Sequence, residues 1–475
     1  MKQQRIDDAK PDYAAWETSL DEAAKKFLAI PAKEPIRIIG HLDADGICAS
    51  AILINALMIL NRKYALTILP TVIEEAITLL AREQEKYFVF VDLGSGNITT
   101  IGELLRNKTV FILDHHLPEP AANPPNITHV NPHYCNIDGS QEVSGAGVTF
   151  IFTQKITHEK NTEMARIAIV GAIGDAPAFQ EFQKLNNTIL QLAIKNNLIE
   201  VKRGLRFFGV QTKPIHKILQ YSADIIIPEV SGSESGAIAF LEQLGINPRK
   251  GKYWKKIADL TEEEKKKLIA GIIAKREDQE KPEDIFANAY LFVGEEEDSP
   301  YRDAKEFATL LNSCGRLGKA SIGIGACLND TRMKELAVQN LAKYRKEIVN
   351  AMHWYKDQKN TNRIIKGKNY IIINAEEDIL PTMIGTFGSI LSKSNTFEEN
   401  TFILTLARNI DTTTKVSLRV SGQNPTINLK DIITRMIARI AQGTAGGHLH
   451  AAGAVINTED EEKFIDAAMD ILGKA

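Results

Sequence analysis

The sequence predicts an α/β protein, with a doubly wound, mostly parallel sheet in its first half joined by a long helix to a smaller α/β domain at its end. Three observations carry that reading. Short apolar runs alternate with helical periodicity over residues 36–199, a pattern that calls for parallel strands connected by helices on both faces. A second alternation of this kind occupies residues 366–475. Between the two, residues 331–362 contain neither glycine nor proline, as one long connecting helix requires.

Taken in order, the apolar, β-branched runs at 36–39, 66–69, 87–91, 110–113 and 127–130 are the candidate strands of the first sheet. Helical spacing of apolar residues fills 46–61, 72–84, 98–106, 145–158, 162–173 and 186–199. Residues 254–281 also read as helical, with Thr261 an N-cap ahead of three glutamates that suit the positive end of the helix dipole. In the last domain, strands are expected at 370–374, 402–407, 415–420 and 451–456, and helices at 382–393, 428–441 and 459–472. The divisions that follow are a first domain over 1–225, an insertion with its own small core over 226–290, a segment ending in the long helix over 291–365, and the last domain over 366–475.

Composition narrows the class. At 475 residues the chain is too long for a single core, and its 44% hydrophobic and 25% charged residues are ordinary for globular domains. The longest apolar run, 47–60, is interrupted by Ser50 and Asn55 and is too short to span a bilayer, so no membrane association is expected. The first residues lack the apolar stretch of a signal peptide, and Cys48, Cys135, Cys314 and Cys327 form no CxxC pair. A cytoplasmic, reduced protein without a cysteine zinc site is the expectation. The net charge of −3 confines any nucleic-acid contact to a local basic surface.

Sheets of this class collect ligands beyond the C-terminal ends of their strands, and there the acids concentrate. GHLDADG places His41, Asp43 and Asp45 after the first strand, VDLGSG places Asp92 after the third, and ILDHH places Asp114, His115 and His116 after the fourth. GAIGD adds Asp175 at the end of an apolar element. A single aspartate after a strand is ordinarily a helix cap or an Asx turn. So many of them converging on one sheet rim need another account, because uncompensated carboxylates repel each other and raise each other's pKa. Divalent cations supply the compensation, and a carboxylate and imidazole set without thiolate suits Mn²⁺ or Mg²⁺ ahead of Zn²⁺.

HLDADG, VDLGSG, LDHH and GAIGD, in this order, resemble motifs I to IV of the DHH phosphoesterase superfamily. HVNPHYCNIDGSQEVSGAGVTF (129–150) and LNSCGRLGKAS (311–321) are similar to segments of RecJ-type nucleases, and KVSLRVSG (415–422) with GGHLHAAGA (446–454) resembles the paired motifs of the DHHA1 domain. The chain is thereby identified as a member of the DHH/DHHA1 superfamily, similar to archaeal RecJ-like single-strand exonucleases of the type associated with the GINS complex.

That resemblance implies residue roles. Asp92 would bridge two divalent ions, Mn²⁺ foremost; His41 and Asp43 would complete one shell, and Asp45, His115 and Asp175 the other. Two such ions about 3.5–4 Å apart can polarise a phosphodiester and activate hydroxide. Asp114 would orient an imidazole, and His116 would face the phosphate as donor or acid. Bacterial RecJ proteins usually carry Asp where His41 stands. Asn312, Arg316, Ser417, Arg419, Gly446, Gly447 and His448 are the implied phosphate and end-group contacts, for which an arginine fork and glycine-flanked amides are apt. In the family the DHHA1 domain faces the metal site across a cleft, and insertions such as 226–290 are protein-docking modules. The implied activity is release of nucleoside monophosphates from an end of single-stranded DNA or RNA, in DNA replication or repair, with GINS or another replisome component as partner. Two alternatives stand beside it: a phosphodiesterase for oligoribonucleotides, cyclic dinucleotides or bisphosphate nucleotides, and a catalytically idle replisome scaffold. Chain length and the Asn-x-x-Gly-Arg segment favour the polymer reading, and the intact acidic set speaks against the scaffold.

Overall fold

The computed structural model describes residues 10–175, 181–222, 225–279, 281–394, 396–422, 427–440, 442–448 and 451–474, with His448 described by its backbone. The chain divides into two compact units, Met1–Asn340 and Leu341–Ala475.

The first unit begins with α1 (Tyr13–Leu28), a helix the sequence reading does not include. Asp12 caps it by accepting the Ala15 amide, and Trp16, Leu20, Ala23 and Phe27 form its buried stripe. Then come β1 (Ile36–His41), α2 (Ala44–Ile59), β2 (Tyr64–Leu69), α3 (Glu74–Ala81), β3 (Tyr87–Val91), α4 (Ile98–Leu104), β4 (Thr109–Leu113) and β5 (Ile127–Val130). The strands are all parallel, in the order β2-β1-β3-β4-β5. The chain steps outward from β1 to β2 and returns on the other side of β1 as β3, so the order reverses there and a crevice opens beyond those two strand ends.

Both faces of the sheet are covered, as the apolar strands require. Helices α3 and α4 bury Ile39, Phe88, Phe90, Val110 and Ile112 on one side. On the other, α1 meets α5 (Gly145–Thr157), with Phe27 edge-on to both Phe111 and Phe152. The chain continues through α6 (Ala165–Asp175), α7 (Lys184–Lys195) and β6 (Ile199–Leu205) into α8 (Ile215–Gln220), α9 (Glu234–Gln243), the hairpin β7 (Arg249–Lys250) and β8 (Tyr253–Trp254), and α10 (Glu262–Lys275). Thr261 caps α10 in a capping box with Glu264. Strand β9 (Phe286–Phe292) then returns antiparallel to β6 along its whole length and ties the two ends of this insertion together. The insertion has its own core, drawn from Phe207, Ile218, Leu241, Leu268 and Ile285 among others, and that core begins before residue 226.

Helices α11 (Ala304–Arg316) and α12 (Ala320–Cys327) close over α2, and α13 (Thr331–Gln358) leaves the unit. Because α2 is enclosed by α5, α6, α11 and α12, it is buried around nearly its whole circumference, which explains its largely apolar character. Gly315 lets α11 lie directly on the turn after β1: a Cβ at that position would stand 1.6 Å from the Leu42 carbonyl oxygen.

The second unit contains β10 (Ile364–Lys366), β11 (Tyr370–Asn374), α14 (Pro381–Ser392), β12 (Phe402–Arg408), β13 (Thr413–Val420), α15 (Leu429–Ile437), β14 (Gly443–His448), β15 (Ala451–Asn457) and α16 (Glu461–Leu472). Its mixed sheet runs β10-β11-β12-β13-β15-β14. Leu404, Leu406, Val416 and Leu418 pack against α15 and α16 on one face, and α14 covers the other. Glycine-rich β14 has Thr444 as its one β-branched residue, and pairing with β15 and packing against α15 recruit it to the sheet. Among the described residues no helix is long and apolar enough to cross a membrane.

Gly315→Ala is expected to destabilise the first unit by about 3 kcal/mol, because a backbone carbonyl cannot rotate away from the added methyl. Gly204→Ala, where nothing lies within 4 Å, is expected to stay within about 0.5 kcal/mol of the parent. Denaturant titration of both variants measures the contrast; equal stability would mean that α11 does not pack on Leu42.

Candidate metal centre

The acids converge at the crevice beside β1 and β3. His41 is the last residue of β1, and Asp43 caps α2, its Oδ1 accepting the Gly46 amide at 3.0 Å while Oδ2 stands 3.1 Å from His41 Nδ1. The cap reading and the site reading of this aspartate therefore both hold, one on each oxygen. Asp45, two residues further in, is 1% exposed and reaches the N-terminus of α5, where Oδ2 accepts the Gly145 amide at 2.7 Å and Oδ1 the Ala146 amide at 3.0 Å. The positive end of α5 favours that carboxylate.

Asp92 follows β3 in a left-handed conformation, φ +59°, which a non-glycine residue adopts at a cost that functional sites tolerate. Its carboxylate is 1% exposed, and neither oxygen has a hydrogen-bond partner. It caps no helix. Instead Oδ2 lies 3.4 Å from His41 Nδ1 and Oδ1 lies 3.4 Å from His115 Nε2. Gly145 makes room for it, since a Cβ there would stand 2.3 Å from Asp92 Oδ1.

Asp114, fully buried beyond β4, is saturated. Its Oδ1 accepts the His115 and His116 amides at 2.8 and 3.3 Å and His116 Nδ1 at 2.7 Å, and Oδ2 accepts the Ser95 amide at 2.9 Å. His115 Nδ1 donates to the Gly139 carbonyl at 2.8 Å, which turns Nε2 toward Asp92 and to 3.8 and 3.9 Å from Asp45 and Asp175. Asp175 ends α6 and is partly exposed. Asn131 braces the histidine loop by donating to Ser95 Oγ and to the His116 carbonyl, each at 2.8 Å. Ser95, Asn131, Gly139 and Gly145 are supporting residues that the sequence reading passed over, although each lies inside a motif it quoted.

The ligand atoms fall into overlapping groups. Those of His41, Asp43 and Asp92 lie within 4.8 Å of one another, as do those of Asp45, His115 and Asp175, and those of Asp92, Asp114, His115 and His116. Burial disfavours charge on His41 and His115, yet the surrounding carboxylates hold both imidazoles well above the ordinary 6.5. Burial, followed by the charge of Asp92, drives Asp45 well above the ordinary 3.8, and burial also raises Asp175. Burial works against Asp43 and Asp114 as well, but His41 and His116 respectively keep these two well below it. His116 rises to about 9 because Asp114 outweighs its burial. Positive charge is what this pocket lacks. Orphaned Asp92 oxygens facing orphaned His41 Nδ1 and His115 Nε2, in an oxygen and nitrogen donor set without thiolate, fit divalent cations.

The remaining implied contacts divide between the units. Asn312 Oδ1 accepts the Ala44 amide at 3.1 Å, so that group braces the start of α2, and half-buried Arg316 ends α11. Ser417 and Arg419 share one face of β13 in the second unit. The Ser417 hydroxyl is buried without a partner, and the Arg419 guanidinium is held by Ser389 Oγ at 2.9 Å and by the Leu418 and Ala452 carbonyls at 2.8 and 3.2 Å. Gly446 and Gly447 lie in β14 opposite Gly453 and Ala452. The His448 side chain, Leu449 and His450 lie outside the described residues.

Residues 35–173 match the DHH family N-terminal domain, residues 207–285 the DHH-CID domain, and residues 367–474 the DHHA1 domain. An uncharacterized protein of Methanocaldococcus jannaschii is 29% identical over 446 residues, covering 92% of this chain and 93% of its own length. The single-stranded-DNA-specific exonuclease RecJ of Thermus thermophilus is 32% identical over 154 residues, 30% of this chain and 22% of that protein. The structure of T. thermophilus RecJ in complex with Mn²⁺ superposes with a TM-score of 0.58 at 18% identity, over 96% of this chain and 55% of that one. CDC45 from Entamoeba histolytica shares the fold with a TM-score of 0.62 at 12% identity, over 97% and 98% of the two chains.

The raised groups make a signed pH prediction for the metal-free protein. Asp45 and Asp175, raised above 3.8, cost stability as pH climbs from that value; His41 and His115 contribute stability that is complete below 6.5 and lost as pH rises through their raised values. Asp43 and Asp114 act oppositely, but only in acid below 3.8. Thermal unfolding in chelator is therefore expected to weaken above pH 6.5. Saturating Mn²⁺ should abolish that slope and add about 2.7 kcal/mol at a hundredfold excess over Kd. A flat profile in chelator would show that these groups are not coupled as described.

Proposed function

The chain belongs to the DHH/DHHA1 phosphoesterase superfamily as a RecJ-like protein, and from that premise we propose that it is a divalent-metal-dependent exonuclease. It removes nucleoside monophosphates from an end of single-stranded DNA or RNA. The observation that carries this reading is Asp92: a buried carboxylate, held in a strained backbone, whose two unpartnered oxygens face His41 on one side and His115 on the other. That arrangement suits a bridging ligand between two cations, with His41 and Asp43 on one flank and Asp45, His115 and Asp175 on the other. Bound Mn²⁺ or Mg²⁺ would supply Lewis acidity and lower the pKa of water at the scissile phosphate.

The chain's own residues do the rest. Asp114 holds the His116 ring through Nδ1 at 2.7 Å, which leaves Nε2 to carry a proton, and in the metal-free protein the Asp114 carboxylate raises this imidazole to about 9. A protonated imidazole on a ring 38% exposed suits donation to a non-bridging or leaving oxygen. Asp114, saturated by four donors, is a positioning residue. In the second unit, Ser417 and Arg419 are proposed to grip phosphate, with Gly446, Gly447 and His448 as further contacts, and Arg316 to do so from the first. A replication partner such as GINS, docking through residues 226–290, is proposed on the family resemblance. Failure of any replisome component to co-purify from native extract would count against it.

The test is a Mn²⁺ time course on single-stranded DNA and RNA of one sequence, labelled separately at each end. Immediate release of labelled mononucleotide from one end, abolished in Asp92→Ala, is the expected result, and it fixes both direction and sugar preference. Survival of long strands while two- to five-mers disappear would support the short-substrate phosphodiesterase instead. A wild type inert on every strand would favour an idle scaffold. His116→Gln is expected to lower the rate constant by a factor of about 10²–10⁴ while leaving the Mn²⁺-induced rise in thermal stability in place; loss of both together would make His116 a metal ligand.

A further inference from the structure

Within the insertion, the short hairpin β7–β8 concentrates positive charge and aromatic surface on a chain whose net charge is −3. The octapeptide RKGKYWKK, residues 249–256, carries no acid. The hairpin is braced from below: the Arg249 guanidinium sits 3.7 Å from the Trp254 ring centroid, and that ring lies 3.9 Å from the ring of His216, which is 1% exposed. Backbone bonds from the Ile215 amide to the Lys255 carbonyl at 2.8 Å and from the Lys255 amide to the Pro248 carbonyl at 2.9 Å tie its base to the insertion core.

Three of its lysines are neutralised locally, Lys250 by Asp259, Lys255 by Glu264 and Lys256 by Asp298, each at 2.8 Å. Arg249 and Lys252 have no acidic partner among the described residues. Tyr253, 79% exposed, directly follows Lys252 and pairs across the hairpin with Lys250, on the face opposite the Arg249–Trp254 stack. Folding does not account for a tyrosine ring left in water on a two-residue strand, because it buries almost none of the area that would stabilise it. An exposed ring beside an uncompensated cation on a rigid support is an arrangement that binds unpaired bases by stacking and their phosphates by charge.

We propose that the β7–β8 hairpin is a second contact for single-stranded nucleic acid, in which one base stacks on Tyr253 while Lys252 neutralises a flanking phosphate. The inference rests on the reading that this chain acts on a nucleic-acid strand, and it adds a point of grip outside the metal centre. Stacking does not read the sugar, so DNA and RNA are expected to bind alike here.

The experiment uses the full chain in chelator, where no cleavage occurs, and follows the fluorescence anisotropy of a labelled 20-nucleotide DNA strand and of an abasic strand of equal length. Tyr253→Ala is expected to weaken binding of the normal strand about tenfold, to leave the abasic strand unchanged, and to be rescued by Tyr253→Phe. Lys252→Ala should flatten the logarithmic salt dependence by about 0.7. No binding by wild type, no effect of Tyr253→Ala, or an equal loss on the abasic strand would overturn the proposal. Displacement of the strand by polyglutamate with Tyr253→Ala silent would likewise overturn it, in favour of an acidic protein segment. Because the assay needs no catalysis, loss of Mn²⁺-dependent cleavage with these anisotropy effects intact would sink the exonuclease reading alone. Normal cleavage with silent hairpin variants would sink the hairpin contact alone.

Discussion

Negative charge confined where β1 and β3 part company is the constraint on which the first unit depends. Asp45, Asp92 and Asp114 are each at most 1% exposed, and placing carboxylates so close together in a low-dielectric interior is unfavourable unless something positive answers them. The fold answers in part. The N-terminus of α5 meets Asp45, that of α2 meets Asp43, and backbone amides with the His116 ring surround Asp114. Of the three buried carboxylates, Asp92 is the one that receives no donor among the described residues. The uncompensated remainder is therefore localised on one residue between two imidazoles, which is where a cation is worth most.

Holding that geometry explains much of the architecture around it. Helix α2 must present Asp43 and Asp45 at fixed angles, and it does so as an apolar rod enclosed by four other helices, with α11 pressed so tightly onto the Leu42 turn that only glycine fits at 315. Asn312, one turn earlier on α11, holds the Ala44 amide. The close approach of α5 to Asp92 at Gly145 has the same logic. These contacts are made by residues with no ionisable group, yet they set the distances that the ionisable groups need.

The second unit and the insertion follow different rules. In the second unit, two apolar residues of β13, Val416 and Leu418, face the core with α15 and α16, while the alternate residues Ser417 and Arg419 face α14, so one strand packs on one face and on the other presents the hydroxyl and guanidinium proposed to grip phosphate. The insertion stabilises itself with a separate core and a β6–β9 ribbon at its base. The charged and aromatic hairpin stands on its surface.

Much of this was legible in the amino-acid sequence because it depends on local chemistry. Apolar runs marked all five parallel strands, Thr261 with its glutamates marked the start of α10, and aspartates and histidines after strands marked the site, because strand ends of a doubly wound sheet must meet at one rim. Other features left no local trace. Helix α1 lay outside any motif, β14 holds three glycines in six residues that signal a turn, and β6 and β9 are partly polar strands whose pairing with each other defines them. Sequence alone also treats Asp43 and Asp92 alike, as aspartates after strands. Only the tertiary structure separates them, since Asp43 finds an amide three residues on whereas Asp92, turned into left-handed backbone, finds none. The sequence by itself determined which charges this protein gathers; packing decided which of them goes unanswered, because whether a buried carboxylate meets a donor depends on backbone placement, as for Asp45 on the distant N-terminus of α5 and Asp92 in its left-handed turn.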